Sequence, residues 1–535
     1  MENRTEKFSR SIGLFGLTMV GIGSIIGSGW LFGAYFAAKL AGPGAIFSWI
    51  IGGAVIMLIA LTISELASSF PKAGGMVRYF EYSHGSFAGF TIAWANWISI
   101  VGTVPSEAEA SIQYMSSWEW DWTHHLYDTT TNSLTTSGMI GAGILLIFYF
   151  LLNYWSIKLF LRFISAITVF KVLVPIVTAL MILYSGFHPG NFTAVGNNLI
   201  PYGWESVVTA IITCGIVFSF NGFQNVANFA AEAKKPHIYL PLSIIFAIVL
   251  ALIVYLLLQV ALLGAIPPET LATEYGWHGI NFSSPLVELA LLFQLNFIAL
   301  LVYMNSFISP SGSGVIYLAS SARMLYGMER NGYMPKFLGI LDPRYKVPRN
   351  AVIFNVILCV LIMYCFPGWA HIIPIISIAN IVAFIPGPIV IGGLRRVAPE
   401  LPRLFRLPLA SIIAPLAFIF ISLLLYWASW PLTGQAIGLL AISLVIYFYY
   451  QYKQGWPNFA KQFRGAVWLI VYFIGVMVLS YCGGSNFGGH DIISSNAAQI
   501  ILVLFAFGIY HWAVRSAWRT PTLEAWLVEK QERGV

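Results

Sequence analysis

Lys171 lies about halfway along an apolar stretch, in Thr168-Val169-Phe170-Lys171-Val172-Leu173-Val174-Pro175. If that stretch crosses a bilayer, inserting a central lysine costs roughly 2.5–3.5 kcal/mol, so its ammonium must face the protein interior or a cavity. Burial works against the charge while nearby carbonyls or carboxylates favour it, and a local rearrangement can then load and unload a proton. The other reading is a structural ammonium, permanently satisfied and pinning helices together. Backbone offers a second chemistry. Between Gly21 and Gly29 the first apolar stretch breaks into Gly-Ile-Gly-Ser-Ile-Ile-Gly-Ser-Gly, and Phe218-Ser219-Phe220-Asn221-Gly222 interrupts a later one. Hydrocarbon offers no water to unpaired amides and carbonyls, so irregular chain survives at membrane depth only where protein buries it or a wet cavity meets it.

Two carboxylates, Glu107 and Glu109, follow Pro105 near one end of the third apolar stretch. A spacing of two puts them on different faces of a helix, so they do not form a pair and at most one faces a pathway. Glu107 is expected near an entrance, as a second protonatable group or a solvated residue at the membrane edge; Glu109 reads as solvated. Cys214, Cys359, Cys365 and Cys482 lack paired Cys-x-x-Cys spacing and read as packing residues, implying neither disulfide nor zinc site. The nine histidines are scattered, so no metal site is expected.

Elements that could hold these groups follow from composition. With 535 residues, 58% hydrophobic and 9% charged side chains, and a mean hydropathy of +0.78, the chain cannot build an ordinary soluble surface and reads as a polytopic membrane protein. About 20 apolar residues cross a bilayer core, which predicts spans near 12–38, 44–69, 86–112, 138–157, 163–185, 204–231, 240–262, 284–320, 350–366, 370–394, 409–428, 432–452, 467–483 and 496–516. The net charge of +7 reflects topology rather than a nucleic-acid partner. Basic residues collect in alternate loops, from Arg4, Lys7 and Arg10, through Lys72 and Arg78, Lys158 and Arg162, Lys234 and Lys235, Arg323–Arg349, Arg395–Arg406 and Lys453–Arg464, to the tail at Arg515–Arg533. By the positive-inside rule both termini should be cytoplasmic and the span count even. The first apolar stretch lacks an evident cleavage site and reads as a retained helix.

The two breaks fall in the first and sixth spans, corresponding positions of two five-helix halves. That spacing points to an inverted repeat whose discontinuous helices meet at the bilayer midplane and bind solute there. Half-helix amino-terminal ends offer amides to a carboxylate, and unwound carbonyls accept from an ammonium, so a zwitterionic amino acid fits both. Glycine also serves close helix packing, which is the plainer reading of either break alone.

Gly23 through Gly29, Glu65-Leu66 with Phe70-Pro71-Lys72-Ala73-Gly74-Gly75, Phe218 to Gly222, and Glu232 with Lys235-Pro236 form one set of motifs. Arg323-Met324-Leu325-Tyr326, Arg330-Asn331-Gly332-Tyr333-Met334-Pro335, Leu394-Arg395-Arg396, Pro399-Glu400-Leu401-Pro402 and Arg406-Leu407-Pro408 form another. In them the chain resembles bacterial amino acid permeases of the amino acid, polyamine and organocation superfamily, over about its first twelve spans. The resemblance implies an all-α, LeuT-like 5+5 inverted repeat with helices 1 and 6 broken and about 14 transmembrane helices. Residues 1–203 would form the first half, 204–408 the second, and 409–535 the peripheral helices and tail.

It further implies a carboxylate cradle from Ser28 and Gly29 with Ser24, Ile25 and Gly27 around it, and carbonyls of Ile25, Phe218 and Asn221 for the amino group. Phe218 stands where the family often has an aromatic lid, although an apolar helix uses most aromatics as core; Tyr317 is a weaker gate, with packing as its alternative. Lys171 resembles the span-5 lysine of proton-driven members, with carbonyls near Gly21 and Ile22 and the hydroxyls of Ser309 or Ser313 as its neighbours. The expected function is secondary active import of an amino acid by proton symport through alternating access, in a bacterial cytoplasmic membrane. Protons are the coupling ion, and no other cofactor, catalytic residue or nucleic-acid partner is expected. No arginine lies within the interior of a predicted span, yet Pro105-Ser106-Glu107-Ala108-Glu109-Ala110 and the fourteen-span plan look like permeases described as acidic amino acid and proton symporters. Acidic solutes therefore lead, with a neutral amino acid, exchange of two solutes, and a nontransporting sensor as alternatives. A channel would need a continuous pore and an enzyme a convergent catalytic constellation, and the spans suggest neither.

Overall fold

A chain this apolar satisfies its backbone within helices when it enters lipid. The computed structural model describes residues 12–70, 75–155, 157–228, 233–342, 347–403 and 405–532. Arg4, Lys7, Arg10, Arg533, Glu232 and the motif residues 71–74, with Lys72 among them, lie outside that range. Among the described residues, regular structure is helical apart from a small hairpin pairing Tyr127–Asp128 with Ser133–Leu134 and an isolated bridge between Ile12 and Ala233.

Span 1 is two helices, Leu14–Ile25 and Gly29–Ala41. Spans 2 to 5 are Ala45–Ser69, Ser86–Met115, Thr136–Trp155 and Ile157–Ser185. Span 6 breaks into Gly203–Thr213, Ile216–Ser219 and Asn225–Asn228. Spans 7, 8 and 9 are Pro236–Ala265, Asn296–Arg330 and Arg349–Cys365, and span 10 divides into Trp369–Ala383 and Pro386–Val397. Spans 11 to 14 are Ala410–Trp427, Leu432–Gln454, Phe459–Cys482 and Ser495–Ser516. Among the described residues, ten stretches are long and apolar enough to cross a membrane by length and composition.

Four details differ from the sequence expectation. The stretch 284–320 is not one helix: a short one, Pro285–Leu292, precedes span 8, with Gln294 at φ 58° turning the chain between them. Span 8 then runs 35 residues, about 52 Å at 1.5 Å per residue, and so overshoots a bilayer core of about 30 Å. Span 10 carries a third break at Phe384 and Ile385, ahead of Pro386 and Pro388, which cannot donate to a preceding turn. Span 13 begins at Phe459, and the tail adds a helix at Pro521–Glu532.

Span 3 packs on spans 8 and 10, span 1 on spans 5, 7 and 8, and span 2 on spans 7, 10 and 11. The most apolar windows of spans 3 and 10 are 89% and 83% buried, against 33% for spans 12 and 14, so the former make the interior and the latter the rim. Exposed Ile442, Val445, Ile500 and Leu504 clothe that rim in hydrocarbon side chains.

The tail is tied to the link between spans 2 and 3. Thr520 Oγ1 donates to Glu81 O at 2.6 Å, the Trp518 amide to Ser83 O at 2.9 Å, and His84 Nε2 to Ala513 O at 2.9 Å. The Glu81 carboxylate accepts from the Tyr333 hydroxyl. Burial pushes the Glu81 carboxyl up to about 7, against the Tyr333 bond and the Arg78 charge that pull it down. A carboxyl raised in the folded state contributes stability below its ordinary value of 4.5 and loses it as pH climbs through about 7. Melting temperature in detergent should therefore decline between about pH 5 and 8, and Glu81→Gln should flatten that decline; an unaltered slope would remove Glu81 as its source.

Candidate solute site

The break in span 1 forms because glycine and serine at Gly27-Ser28-Gly29 give little helix propensity and because neighbouring side chains take over the freed carbonyls. Ile26 ends the first helix at φ −78°, ψ 88°, and the chain re-enters helix at Gly29. Span 6 loses its helix at Gly215, φ +79°, and turns again at Gly222, φ +110°.

The two breaks touch. A Cβ built on Gly222 would lie 2.6 Å from Ser24 O and 2.7 Å from Tyr317 Oη, and one on Gly29 would lie 2.3 Å from Ser219 Oγ and 2.9 Å from Ser219 Cα. Ser24, Ile25, Gly27, Ser28, Gly29, Phe218 and Asn221 thus come together as the sequence suggested. All are buried, with Ser28 at 0%, Ser24 at 1%, Asn221 at 2% and Phe218 at 4% exposure.

Their polar atoms are unevenly used. Ser24 Oγ is buried without a hydrogen-bond partner. Ile25 O already accepts from the Gly27 amide at 2.9 Å and from the Tyr255 hydroxyl at 3.4 Å, and Phe218 O from the Asn221 amide at 2.8 Å. Asn221 Oδ1 accepts from Gln224 Nε2 at 2.6 Å, and Gln224 Oε1 accepts from the Gly222 amide at 3.0 Å, bracing the turn. Tyr317 donates to Ser24 O at 3.1 Å. The Phe218 ring meets Trp369 edge-on, centroids 5.9 Å apart.

Lys171, 2% exposed, donates from Nζ to Gly23 O at 2.7 Å and to Ser313 Oγ at 3.0 Å, joining spans 1, 5 and 8. Gly23, not Gly21 or Ile22, supplies the carbonyl. Ser309 serves the break instead, its hydroxyl shared at 3.0 Å between Ile26 O and Gly27 O.

Glu107 is not at a solvated edge. It is 1% exposed, its carboxylate faces Ser28, and a Cβ on Gly27 would fall 2.3 Å from Oε1. Lys171 and Glu107 therefore stand at the two ends of the Gly23–Ser28 stretch. Glu109 is fully buried with both oxygens lacking hydrogen-bond partners, opposite the Gly368 backbone, so its solvated reading is also corrected. Span 3 continues past both acids to Met115.

Two residues escaped sequence reasoning. Trp369 Nε1 donates to Ser28 Oγ at 2.9 Å, and its ring packs on Phe32 and Phe36 as well as Phe218. The Tyr255 hydroxyl reaches Ser219 O at 2.8 Å and Ile25 O at 3.4 Å, bridging the two breaks. Tyr255→Phe keeps the ring on Trp49 and Phe220 while removing that bridge. A lost buried hydrogen bond costs about 1–3 kcal/mol, so equilibrium binding of solute should weaken about tenfold with expression retained; unchanged affinity would separate the tyrosine from the site.

Interrupted helices meeting inside a polytopic bundle, with backbone groups and a buried cation around the junction, define a membrane permease rather than an enzyme. The chain belongs to the amino acid permease family, whose model matches residues 12–450. It is 48% identical over 520 residues, 97% of this chain and 96% of the relative, to the Glutamate/serine transporter AimA of Bacillus subtilis (strain 168). Over 517 residues, 96% of this chain and 97% of the relative, it is 35% identical to the Aspartate-proton symporter of the same organism. The Branched-chain amino acid permease BcaP, also from that organism, is 27% identical over 461 residues, 85% of this chain and 95% of the relative. The function of this chain is amino acid transport.

Proposed function

We propose that this permease imports an amino acid across the bacterial cytoplasmic membrane by proton symport, with aspartate or glutamate as the favoured solute. The observation that carries the coupling is Lys171 Nζ on Gly23 O and Ser313 Oγ, beside the break in span 1. A proton lost from that ammonium would release Gly23 O and change how span 1 meets spans 5 and 8. Glu107, on the other side of the same turn, is the second protonatable group. Names of two relatives, a glutamate/serine transporter and an aspartate–proton symporter, support an acidic solute and a proton gradient.

In this reading the solute carboxylate sits against Ser24, Gly27, Ser28 and Gly29, and its ammonium against the carbonyls of Ile25, Phe218 and Asn221. Phe218 and Tyr317 gate the site. Because these groups are buried, solute reaches them through motion of the helix halves 1–203 and 204–408 against each other, an inverted repeat of the LeuT type, with 409–535 peripheral. The lysine- and arginine-rich face, with both termini, is cytoplasmic. Serine is a second reading, favoured by the name of the first relative above.

Proteoliposome uptake of labelled aspartate, glutamate, serine and leucine, with and without an inside-alkaline pH gradient, tests both parts. Aspartate or glutamate accumulation should rise at least tenfold with the gradient and collapse with an uncoupler. Uptake that needs preloaded amino acid and ignores the gradient would replace symport by exchange.

A further inference from the structure

Away from the solute site, Arg395, Pro399, Leu401, Arg403 and Arg406 line a cavity of about 210 Å³ on the lysine- and arginine-rich face. That is well above the roughly 10–15 Å³ that admits a single water, and it leaves room for a phosphoryl group. We propose that this cavity is a binding site for a phosphate group.

The charge balance favours an anion. Glu65, at the end of span 2, is 1% exposed and answers two of the arginines: Arg395 Nε and Nη2 donate to it at 3.1 and 2.6 Å, and Arg403 Nε lies 3.3 Å away. The Leu407 amide adds a fourth contact at 2.7 Å. Glu400 is taken by Arg519. Three guanidiniums therefore face one cavity with a single buried carboxylate among them.

The arginines are also held in place. Arg403 Nη1 donates to the carbonyls of Pro399 and Leu401, and Nη2 to those of Leu394 and Ala398, which fixes the plane of its fork. Arg395 Nη2 is further tied to Leu407 O at 2.9 Å. Arg406 is exposed, lies in no ion pair among the described residues, and supplies the free fork. With all five donors committed, Arg403 contributes charge alone, whereas Arg395 Nη1 and the planar fork of Arg406 keep donors that match phosphate oxygens. A basic pocket between helices on the cytoplasmic side meets anionic lipid headgroups in the adjacent leaflet and free phosphate in solution, and both present the same chemistry.

The test uses the full chain, delipidated in neutral detergent and reconstituted in nanodiscs. Arg406→Ala leaves both Glu65 ion pairs intact; Arg330→Ala, an exposed arginine outside the cavity, is the control. Inorganic phosphate at constant ionic strength is titrated by calorimetry and by melting temperature, and phosphatidylglycerol against phosphatidylcholine by native mass spectrometry. Wild type and Arg330→Ala should bind at least one probe, and Arg406→Ala should bind it at least tenfold more weakly. Phosphatidylglycerol retention that inorganic phosphate does not displace identifies a lipid headgroup; phosphate binding without lipid preference identifies the free ion. Absence of both, or equal binding by Arg406→Ala, overturns the proposal.

Discussion

Lys171→Ala should abolish gradient-driven accumulation of amino acid in proteoliposomes, by at least tenfold, while leaving solute binding within a few-fold of wild type. The ammonium is buried at the meeting of spans 1, 5 and 8 and holds Gly23 O, one residue before Ser24 in the last helical turn ahead of the span-1 break. Its charge is expensive in that setting, so a proton taken up or released there shifts the energy of one helix arrangement relative to the other. Alanine removes the charge in both arrangements and therefore the coupling, without touching Ser24, Ser28 or the carbonyls of span 6. A purely structural lysine behaves differently: losing it leaves Gly23 O and Ser313 Oγ short of a donor, at about 1–3 kcal/mol, so melting temperature, binding and uptake all fall together at every pH. Accumulation that persists with its pH dependence intact would reject the coupling role outright. Glu107→Gln, which keeps the shape beside Gly27, then asks whether the second group shares the proton.

Much of this arrangement was legible because a membrane narrows the options. Gly21–Gly29 and Phe218–Gly222 announced themselves as glycine, serine and asparagine at a depth where continuous helix is the default, and Lys171 as a charge where charge is costly. Both signals are local in sequence. What stayed hidden depends on which helix faces which. Tyr255 and Trp369 look like ordinary core aromatics until their hydroxyl and indole N–H are seen reaching Ser219 O, Ile25 O and Ser28 Oγ. Glu109 was misread because position along a span gives depth but not cover, and the Gly368 backbone opposite it belongs to a segment over 250 residues further on. The break in span 10 did carry a signal, Pro386 and Pro388, whereas the division ahead of span 8 rests on a left-handed Gln294 that no residue preference foretells.

Gly222→Ala should disable the solute site with a single methyl. At φ +110° an L-residue is strained whatever surrounds it, by about 1–3 kcal/mol. The added Cβ would also lie 2.6 Å from Ser24 O and 2.7 Å from Ser24 C, backbone atoms of the last turn before the opposing break, and 2.7 Å from Tyr317 Oη. A flexible side chain could step aside; a carbonyl fixed by Tyr317 cannot move unless span 1 moves with it. Relief must come from parting the two interrupted helices, and that would open the contact between Gly29 and Ser219 as well. Solute binding should fall more than 100-fold, uptake should vanish, and melting temperature should drop by several degrees. Gly508→Ala supplies the comparison: its Cβ would meet nothing within 4 Å, and it lies within the helix of span 14, where alanine is favoured over glycine by about 1 kcal/mol. Wild-type uptake from Gly222→Ala would mean that spans 1 and 6 do not meet as described, and the shared binding surface would go with them.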